Sequence, residues 1–369
     1  MQKTKQKKKI LILSCERGGK GHIVPALAVA QAIKKINKNI NVKIIDIYDY
    51  LSLRESQAHN NSYIFMSKYF PPVIKIGFFL TDSKLSMKFL AYSHYPFYKK
   101  KLVNLYKKEN PNLVLSDFPH WQYLSWLVWK KVYQSRKFVS LVTDFLKIHN
   151  GWTLGSINSY IVPSEQTAKV LEKRGIDKAK IKVFGIPVKL TFSESVNRSR
   201  ILKKLNLDSA KPTVLFLPSA KSSIDIIKNI CQEHLKINLI VVAGRNQQLL
   251  PKIKEFANKD TAVLGWTNKM PDLIKSSDIV ITKAGGSTIA ECLSVTKPTI
   301  IYQVIPGQEE GNAKFIIKNG LGIVETDFSK IPEKIRYILA NQNSYQKRLN
   351  SYRQTDSAVK IAKYLLELI

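Results

Sequence analysis

The sequence predicts an α/β protein built from two Rossmann-like domains, and three observations predict it. Short apolar runs rich in β-branched residues alternate with segments of helical periodicity along the whole 369-residue chain. The runs are apolar throughout rather than alternating, which is the pattern of strands buried on both faces of a parallel sheet. The pattern then restarts after a polar stretch, residues 193–200, that follows the turn-like Gly185-Ile186-Pro187. A boundary is therefore expected near residue 190, giving domains of residues 1–190 and 191–369, each of ordinary domain size.

In chain order, the first domain offers strands at 10–14, 42–47, 113–116, 138–142 and 160–162, with helical patterns at 25–36 and 167–174. The second offers strands at 213–217, 239–243, 262–264, 278–281 and 299–302, with a helix over 288–293. No repeat of solenoid length interrupts them. No run reaches eighteen apolar residues, so no spanning helix is expected. The basic start, MQKTKQKKKI, precedes an apolar run too short for a secretory signal, and polar Glu16 and Arg17 follow. The expected location is the cytoplasmic face of a membrane, held peripherally. Cys15, Cys231 and Cys292 lie far apart, offering neither a disulfide scaffold nor a zinc cluster. No metal-ligand spacing stands out, so neither metal nor cofactor is expected.

Charge narrows the partners. The chain has 59 Lys+Arg against 27 Asp+Glu, a formal net charge of +32, and its 44% hydrophobic content excludes a disordered chain. Such a balance favours an anionic surface or a phosphorylated substrate. It divides unevenly: residues 1–190 carry a net +22 and residues 191–369 a net +10. The first domain is the one expected to face the anion.

Two strand–turn–helix corners carry the chemistry. The first strand runs into Cys15-Glu16-Arg17-Gly18-Gly19-Lys20-Gly21-His22 and then Ile23-Val24-Pro25. Gly18, Gly19 and Gly21 allow close backbone approach, and a helix N-terminus presents free amides with a partial positive charge. It matches neither the dinucleotide fingerprint nor a P-loop, and a tight turn with an exposed histidine would look the same. The second corner is Lys283-Ala284-Gly285-Gly286-Ser287-Thr288-Ile289-Ala290-Glu291, where glycines and hydroxyls suit a phosphate. Glu291 suits either the helix dipole or a ribose. Downstream, Pro306-Gly307-Gln308-Glu309 follows a strand and offers groups for sugar hydroxyls, or a polar helix cap.

Together, G-G-x-G-H, K-x-G-G-x-T-x-x-E and P-G-Q-E resemble a two-domain GT-B glycosyltransferase, most closely the family of monogalactosyldiacylglycerol synthases and processive diacylglycerol glucosyltransferases. Thr143-Asp144-Phe145, Val183–Val188 and Val263-Leu264-Gly265-Trp266 share the likeness, so it runs from residue 9 to about 320. The stretch 21–28 looks more like the related peptidoglycan lipid-intermediate GlcNAc transferase. The resemblance implies parallel sheets facing a cleft, a lipid acceptor on the first domain and a UDP-sugar on the second. Gly285, Gly286, Ser287 and Thr288 would hold the diphosphate, Glu291 the ribose, Gln308 and Glu309 the sugar, and Gly265 and Trp266 the uracil. Arg245 would add positive charge near the phosphates. The terminal helix pattern, residues 352–369, could cross back to the first domain as in similar enzymes. One departure stands out: where similar enzymes often have glycines, the loop after the second domain's first strand reads Pro218-Ser219-Ala220-Lys221-Ser222-Ser223.

The implied reaction is single-displacement, inverting transfer of a hexose to diacylglycerol or a glycolipid. It needs a base for the acceptor hydroxyl and a stabilised leaving diphosphate. His22, whose pKa the helix dipole would lower, and Asp144, at a strand end, are the candidate bases; the bland readings are an anion-binding histidine and a helix cap. His120 and His149 lie on the same edge and read as ordinary surface histidines. Alternatives are GlcNAc transfer to a polyprenyl-diphosphate intermediate, a nucleotide-sugar epimerase on the same fold, and a basic membrane- or RNA-binding protein without transferase activity.

Residues 63–108 hold nine lysines, twelve Phe/Tyr and one acid, Asp82. Phe70, Lys75, Phe78, Phe79, Lys88, Phe89, Lys99, Lys100 and Lys101 suit an anionic bilayer, rings at the interface and lysines to headgroups. A helix pair with its rings packed inward is the plain alternative. No nucleic-acid signature accompanies the charge, so no nucleic-acid partner is expected.

Overall fold

A computed structural model describes residues 7–16, 21–51, 62, 65, 66, 70–219, 223–244 and 248–369. Among the described residues, twelve strands form two sheets. The first contains β1 (Lys9–Ser14), β2 (Asn41–Asp46), β3 (Leu113–Ser116), β4 (Lys137–Leu141), β5 (Ser159–Val162) and β6 (Ile181–Val183), in the order β2-β1-β3-β4-β5-β6. The second contains β7 (Thr213–Phe216), β8 (Asn238–Val242), β9 (Thr261–Leu264), β10 (Ile279–Lys283), β11 (Thr299–Gln303) and β12 (Gly322–Val324), in the order β12-β11-β10-β7-β8-β9. Every neighbouring pair is parallel. The fold is α/β, with ten strands at the apolar runs. The two strands the sequence did not announce, β6 and β12, are three-residue edge strands with one buried residue each.

The chain divides into two compact units, Met1–Leu190 with Pro306–Gly311 and Asp356–Ile369, and Thr191–Ile305 with Asn312–Thr355. In the first unit, side chains alternate across the sheet. Ile10, Ile12, Leu113 and Leu115 join one core with the helix Ile23–Ile36 and the helix Ser357–Glu367. Leu11, Leu13 and Val114 join the other, under the helices Lys84–Glu109 and Pro119–Val132. The helix Lys84–Glu109 lays Met87, Ala91, Tyr98, Leu102 and Leu105 inward, a helical stripe that leaves its remaining faces to solvent. Ser83 caps its start by accepting the Ser86 amide at 2.9 Å.

Both strand orders reverse once. β1 sits between β2 and β3, and β7 between β8 and β10. At such a reversal the following loops part, and the crevice at the carboxyl ends of the strands takes ligands. The loops after β1 and β3 flank the reversal in the first sheet, and those after β7 and β10 flank it in the second.

Candidate functional site

At the first reversal, Gly18 and Gly19 lie outside the described residues. Gly21 is exposed, with open space where a Cβ would project. His22 caps the helix Ile23–Ile36 through its backbone, without a side-chain capping bond. Its ring turns onto the sheet edge, Nδ1 3.2 Å from Thr143 Oγ1 and the ring 5.1 Å, edge-on, from Phe118. Burial pushes the imidazole down to about 4, a hydrogen bond to the Asp117 backbone opposes it, and the charge of His120 adds to the drop. His22 is therefore neutral at pH 7 and a weak base.

Asp144 stands next to Thr143, just past the end of β4. The indole Nε1 of Trp152 donates to its Oδ2 at 2.9 Å. Burial pushes this carboxyl up to about 6; the indole bond pulls it down, and the charge of Glu309 pushes it up. Trp152 is fully buried, and its ring lies 6.4 Å from that of His22. One indole thus neighbours both candidate bases. Gln122 anchors it, donating to the Trp152 carbonyl at 3.0 Å while accepting from Ser140 Oγ at 2.7 Å.

His149 is buried, not a surface residue: 3% of it is exposed. Its Nδ1 accepts the Gly151 amide at 3.1 Å, so its proton sits on Nε2, 3.3 Å from Thr81 Oγ1. Burial, then the charge of Arg174, pushes its pKa down to about 4. The rings of His22, Phe118, His120 and His149 follow one another at 5.1–5.3 Å spacing. A Cβ on Gly151 would lie 2.9 Å from the Pro119 carbonyl and 3.2 Å from Met87 Cε, so this turn requires glycine. Trp152 and Gln122 escaped the sequence reading, and His149 was placed on this edge but read as a surface residue. Only the Asn150-Gly151 turn marks the spot, and nothing in it announces burial.

The basic aromatic segment forms the helices Pro71–Thr81 and Lys84–Glu109. Phe70, Phe79 and Phe89 are 52%, 55% and 75% exposed, and Lys75, Lys88, Lys99 and Lys100 are exposed beside them. Val73, Ile76, Leu80, Leu85, Tyr92 and Phe97 extend this surface. Phe78 departs from the expected outward set, because it is only partly exposed and packs edge-on against His149 at 5.1 Å. Lys101 is exposed like the other lysines, and its ammonium donates to the Leu51 carbonyl. Among the described residues no helix is long and apolar enough to cross a membrane. The pair is pinned to the sheet edge: Asp82 accepts from the Asn150 amide at 2.7 Å, and Asn150 Nδ2 donates to the Asp82 carbonyl at 2.9 Å.

At the second reversal, Gly285 caps the helix Gly286–Ser294 with extended backbone and no side-chain bond. The Ala284 amide donates to the Gln303 carbonyl at 2.9 Å, and Asn312 Nδ2 donates to the Ala284 carbonyl at 3.0 Å, fixing the turn. Gly285, Gly286, Ser287, Thr288 and Glu291 are partly exposed on this corner. Gly265 and Trp266 follow β9, the sheet's edge strand, and Trp266 is 60% exposed. Arg245 lies outside the described residues. Gln308 is exposed and Glu309 is 4% exposed, in the segment Pro306–Gly311 that groups with the first unit. There, Lys147 Nζ donates to Glu310 at 2.9 Å. Among the described residues no cluster of His, Cys, Asp or Glu has metal-binding geometry.

Comparison with known proteins matches this architecture. Residues 22–188 match the family model for monogalactosyldiacylglycerol (MGDG) synthase, and residues 220–365 match that for the glycosyltransferase family 28 C-terminal domain. The processive diacylglycerol β-glucosyltransferase of Staphylococcus epidermidis is 29% identical over 99% of this chain and 94% of its own. Monogalactosyldiacylglycerol synthase 3 of Arabidopsis thaliana is 28% identical over 96% of this chain and 78% of its own. Among solved structures, the calicheamicin glycosyltransferase CalG4 superposes with a TM-score of 0.65 at 12% identity, over 98% of each chain. A Staphylococcus aureus MnaA–UDP complex gives 0.64 at 14% identity, also over 98% of each. The chain is a glycosyltransferase of the GT-B fold. Within that class it resembles the family of monogalactosyldiacylglycerol synthases and processive diacylglycerol glucosyltransferases, across both units.

Proposed function

We propose that this glycosyltransferase moves a hexose from a UDP-sugar to the hydroxyl of diacylglycerol or a glycolipid, with inversion, while docked on an anionic membrane. The carrying observation is that one unit joins an exposed face of rings and lysines to the sheet edge of His22 and Asp144, through the Asp82–Asn150 bonds. The names of the relatives point to a diacylglycerol acceptor, and a UDP complex in a structural neighbour fits a uridine nucleotide donor.

The proton affinities divide the labour. A general base works best with a pKa near the working pH. Asp144, near 6, meets that condition better than His22, near 4. Asp144 takes the proton from the acceptor hydroxyl, and the Trp152 indole holds one carboxylate oxygen so that the other faces the reaction. His22, neutral, orients the acceptor by hydrogen bonding. The helix amides at Gly286, Ser287 and Thr288 stabilise the departing diphosphate, Glu291 holds the ribose, and the chemistry needs no metal. Membrane affinity comes from Phe79, Phe89 and Phe97 at the interface and from Lys75, Lys88, Lys99 and Lys100 against anionic headgroups.

The test offers purified protein labelled UDP-glucose, UDP-galactose and UDP-GlcNAc with anionic vesicles containing diacylglycerol or a polyprenyl-diphosphate acceptor, then separates the lipids. Labelled hexosyl-diacylglycerol is expected. Label found only on the polyprenyl acceptor, or on no lipid, would sink the proposal.

A further inference from the structure

The corner after β7 begins Pro218-Ser219 where similar enzymes often carry glycines, and its described residues are tied from another strand. Tyr302, next to the end of β11, is 2% exposed, its ring wedged against Phe216 at 5.5 Å and Phe328 at 6.1 Å. β11 does not pair with β7, because β10 lies between them. The tyrosine nonetheless reaches across. Its hydroxyl accepts the Ser219 amide at 2.8 Å, lies 2.7 Å from Ser219 Oγ and 3.2 Å from Ser223 Oγ, and is 3.3 Å from the Leu217 carbonyl. The adjacent Gln303 completes the tie. Its Oε1 accepts from Ser219 Oγ, and its backbone carbonyl accepts the Ala284 amide, one residue before Gly285. Two consecutive residues of one strand therefore hold both corners of the reversal.

We propose that Tyr302 is a positioning residue whose hydroxyl, with the Gln303 side chain, locks Ser219 to the Gly285 turn, so that the two corners form one rigid cradle for the diphosphate of the donor. This rests on the donor reading above. The physical argument is one of preorganisation. Ordering a backbone segment costs conformational entropy, and a corner ordered before the ligand arrives spares the complex that cost. A buried phenol must satisfy its hydroxyl. Here it meets Ser219, Ser223 and the Leu217 carbonyl, and the Ser219 amide is held by the phenol.

The experiment measures UDP affinity by calorimetry and uridine affinity by ligand-detected NMR for four proteins: wild type, Tyr302→Phe, Ser219→Ala and, as a control, Ile240→Val in the buried β8. The control reports the effect of a core loss alone. Tyr302→Phe keeps the ring and removes the hydroxyl. It should weaken UDP about tenfold, the size of one hydrogen bond, with uridine unchanged. Ser219→Ala keeps the amide–phenol bond and should lose less, in the same direction; it decides the matter if Tyr302→Phe fails to fold. Ile240→Val should alter neither ligand. Equal weakening of UDP and uridine, or unchanged UDP in both loop variants, overturns the inference while leaving the donor reading intact. A wild-type protein that binds neither ligand overturns both.

Discussion

The two sheet reversals are built from different chemistry. In the first unit, burial moves proton affinities: Asp144 up to about 6, His22 and His149 down to about 4, and Asp117 well above the usual carboxylate range, with Ser14 opposing and Asp46 assisting. In the second, the corner is tied by amides, serine hydroxyls and a phenol, groups that do not titrate near neutrality. In the proposed mechanism the contrast divides the reaction between two uses of one fold, with proton transfer where apolar rings exclude water and the diphosphate charge where dipoles are preset.

The largest test of this division is Asp144→Asn. Loss of the general base should reduce kcat by about 10²–10⁴-fold. In the wild type, kcat/KM should fall as pH drops through about 6, where Asp144 takes up its proton. An acid limb near 4 would return the role to His22. Next in size is docking. Changing Lys75, Lys88, Lys99 and Lys100 together to Gln should release the protein from anionic vesicles by roughly 1 kcal/mol per charge, read by flotation. Lys101→Gln, whose ammonium is turned back to the Leu51 carbonyl, should barely change it. If Lys101 matters as much as the others, the exposed face has been misassigned. Glu291→Ala should then weaken UDP binding by about ten- to a hundredfold, the range for a hydrogen bond to a charged group, without moving the acid limb.

Stability offers an effect with opposite signs at the same edge. His22 and His149 have folded pKa values near 4 against 6.5 for the free side chain. The unfolded chain binds more protons between those values, so stability is full above 6.5 and is lost as pH falls toward 4. Asp144 runs the other way. Its folded value near 6 exceeds the 3.8 of a free side chain, so its ionised form destabilises the fold above pH 6. Asp144→Asn should therefore melt higher than wild type at pH 8, by up to about 3 kcal/mol, with the gap closing toward pH 4. The smallest effect is expected from a chelator, which should leave the transfer rate unchanged.

What the sequence revealed follows physical rules. Eight strands were legible because a strand buried on both faces must be apolar, and the edge strands β2 and β9 because Val42, Ile44 and Ile45, and Ala262, Val263 and Leu264, still form apolar runs; β6 and β12, edges of three residues, carry too little of that signal. Gly285 and His22 were legible because a corner between strand and helix has few chemical solutions. Trp152, Tyr302 and the burial of His149 were not. Each works by touching residues that come from other strands, as Tyr302 touches Ser219, and periodicity says nothing about which loops meet. The basic aromatic set divided for the same reason: composition marked the segment, but only packing tells Phe78, turned to His149, from Phe79, turned outward.

The helix Ser357–Glu367 carries a consequence for synthesis. It supplies Ala358, Ile361, Ala362 and Leu365 to the same core as Ile10 and Ile12, yet it follows every residue of the second unit. Domains usually fold as they emerge, the earlier before the later. Here the earlier one keeps an open flank until the ribosome has made the whole of its neighbour. A fragment stopping at residue 190 is missing a wall of its own interior, and the half that starts first is the half that finishes last.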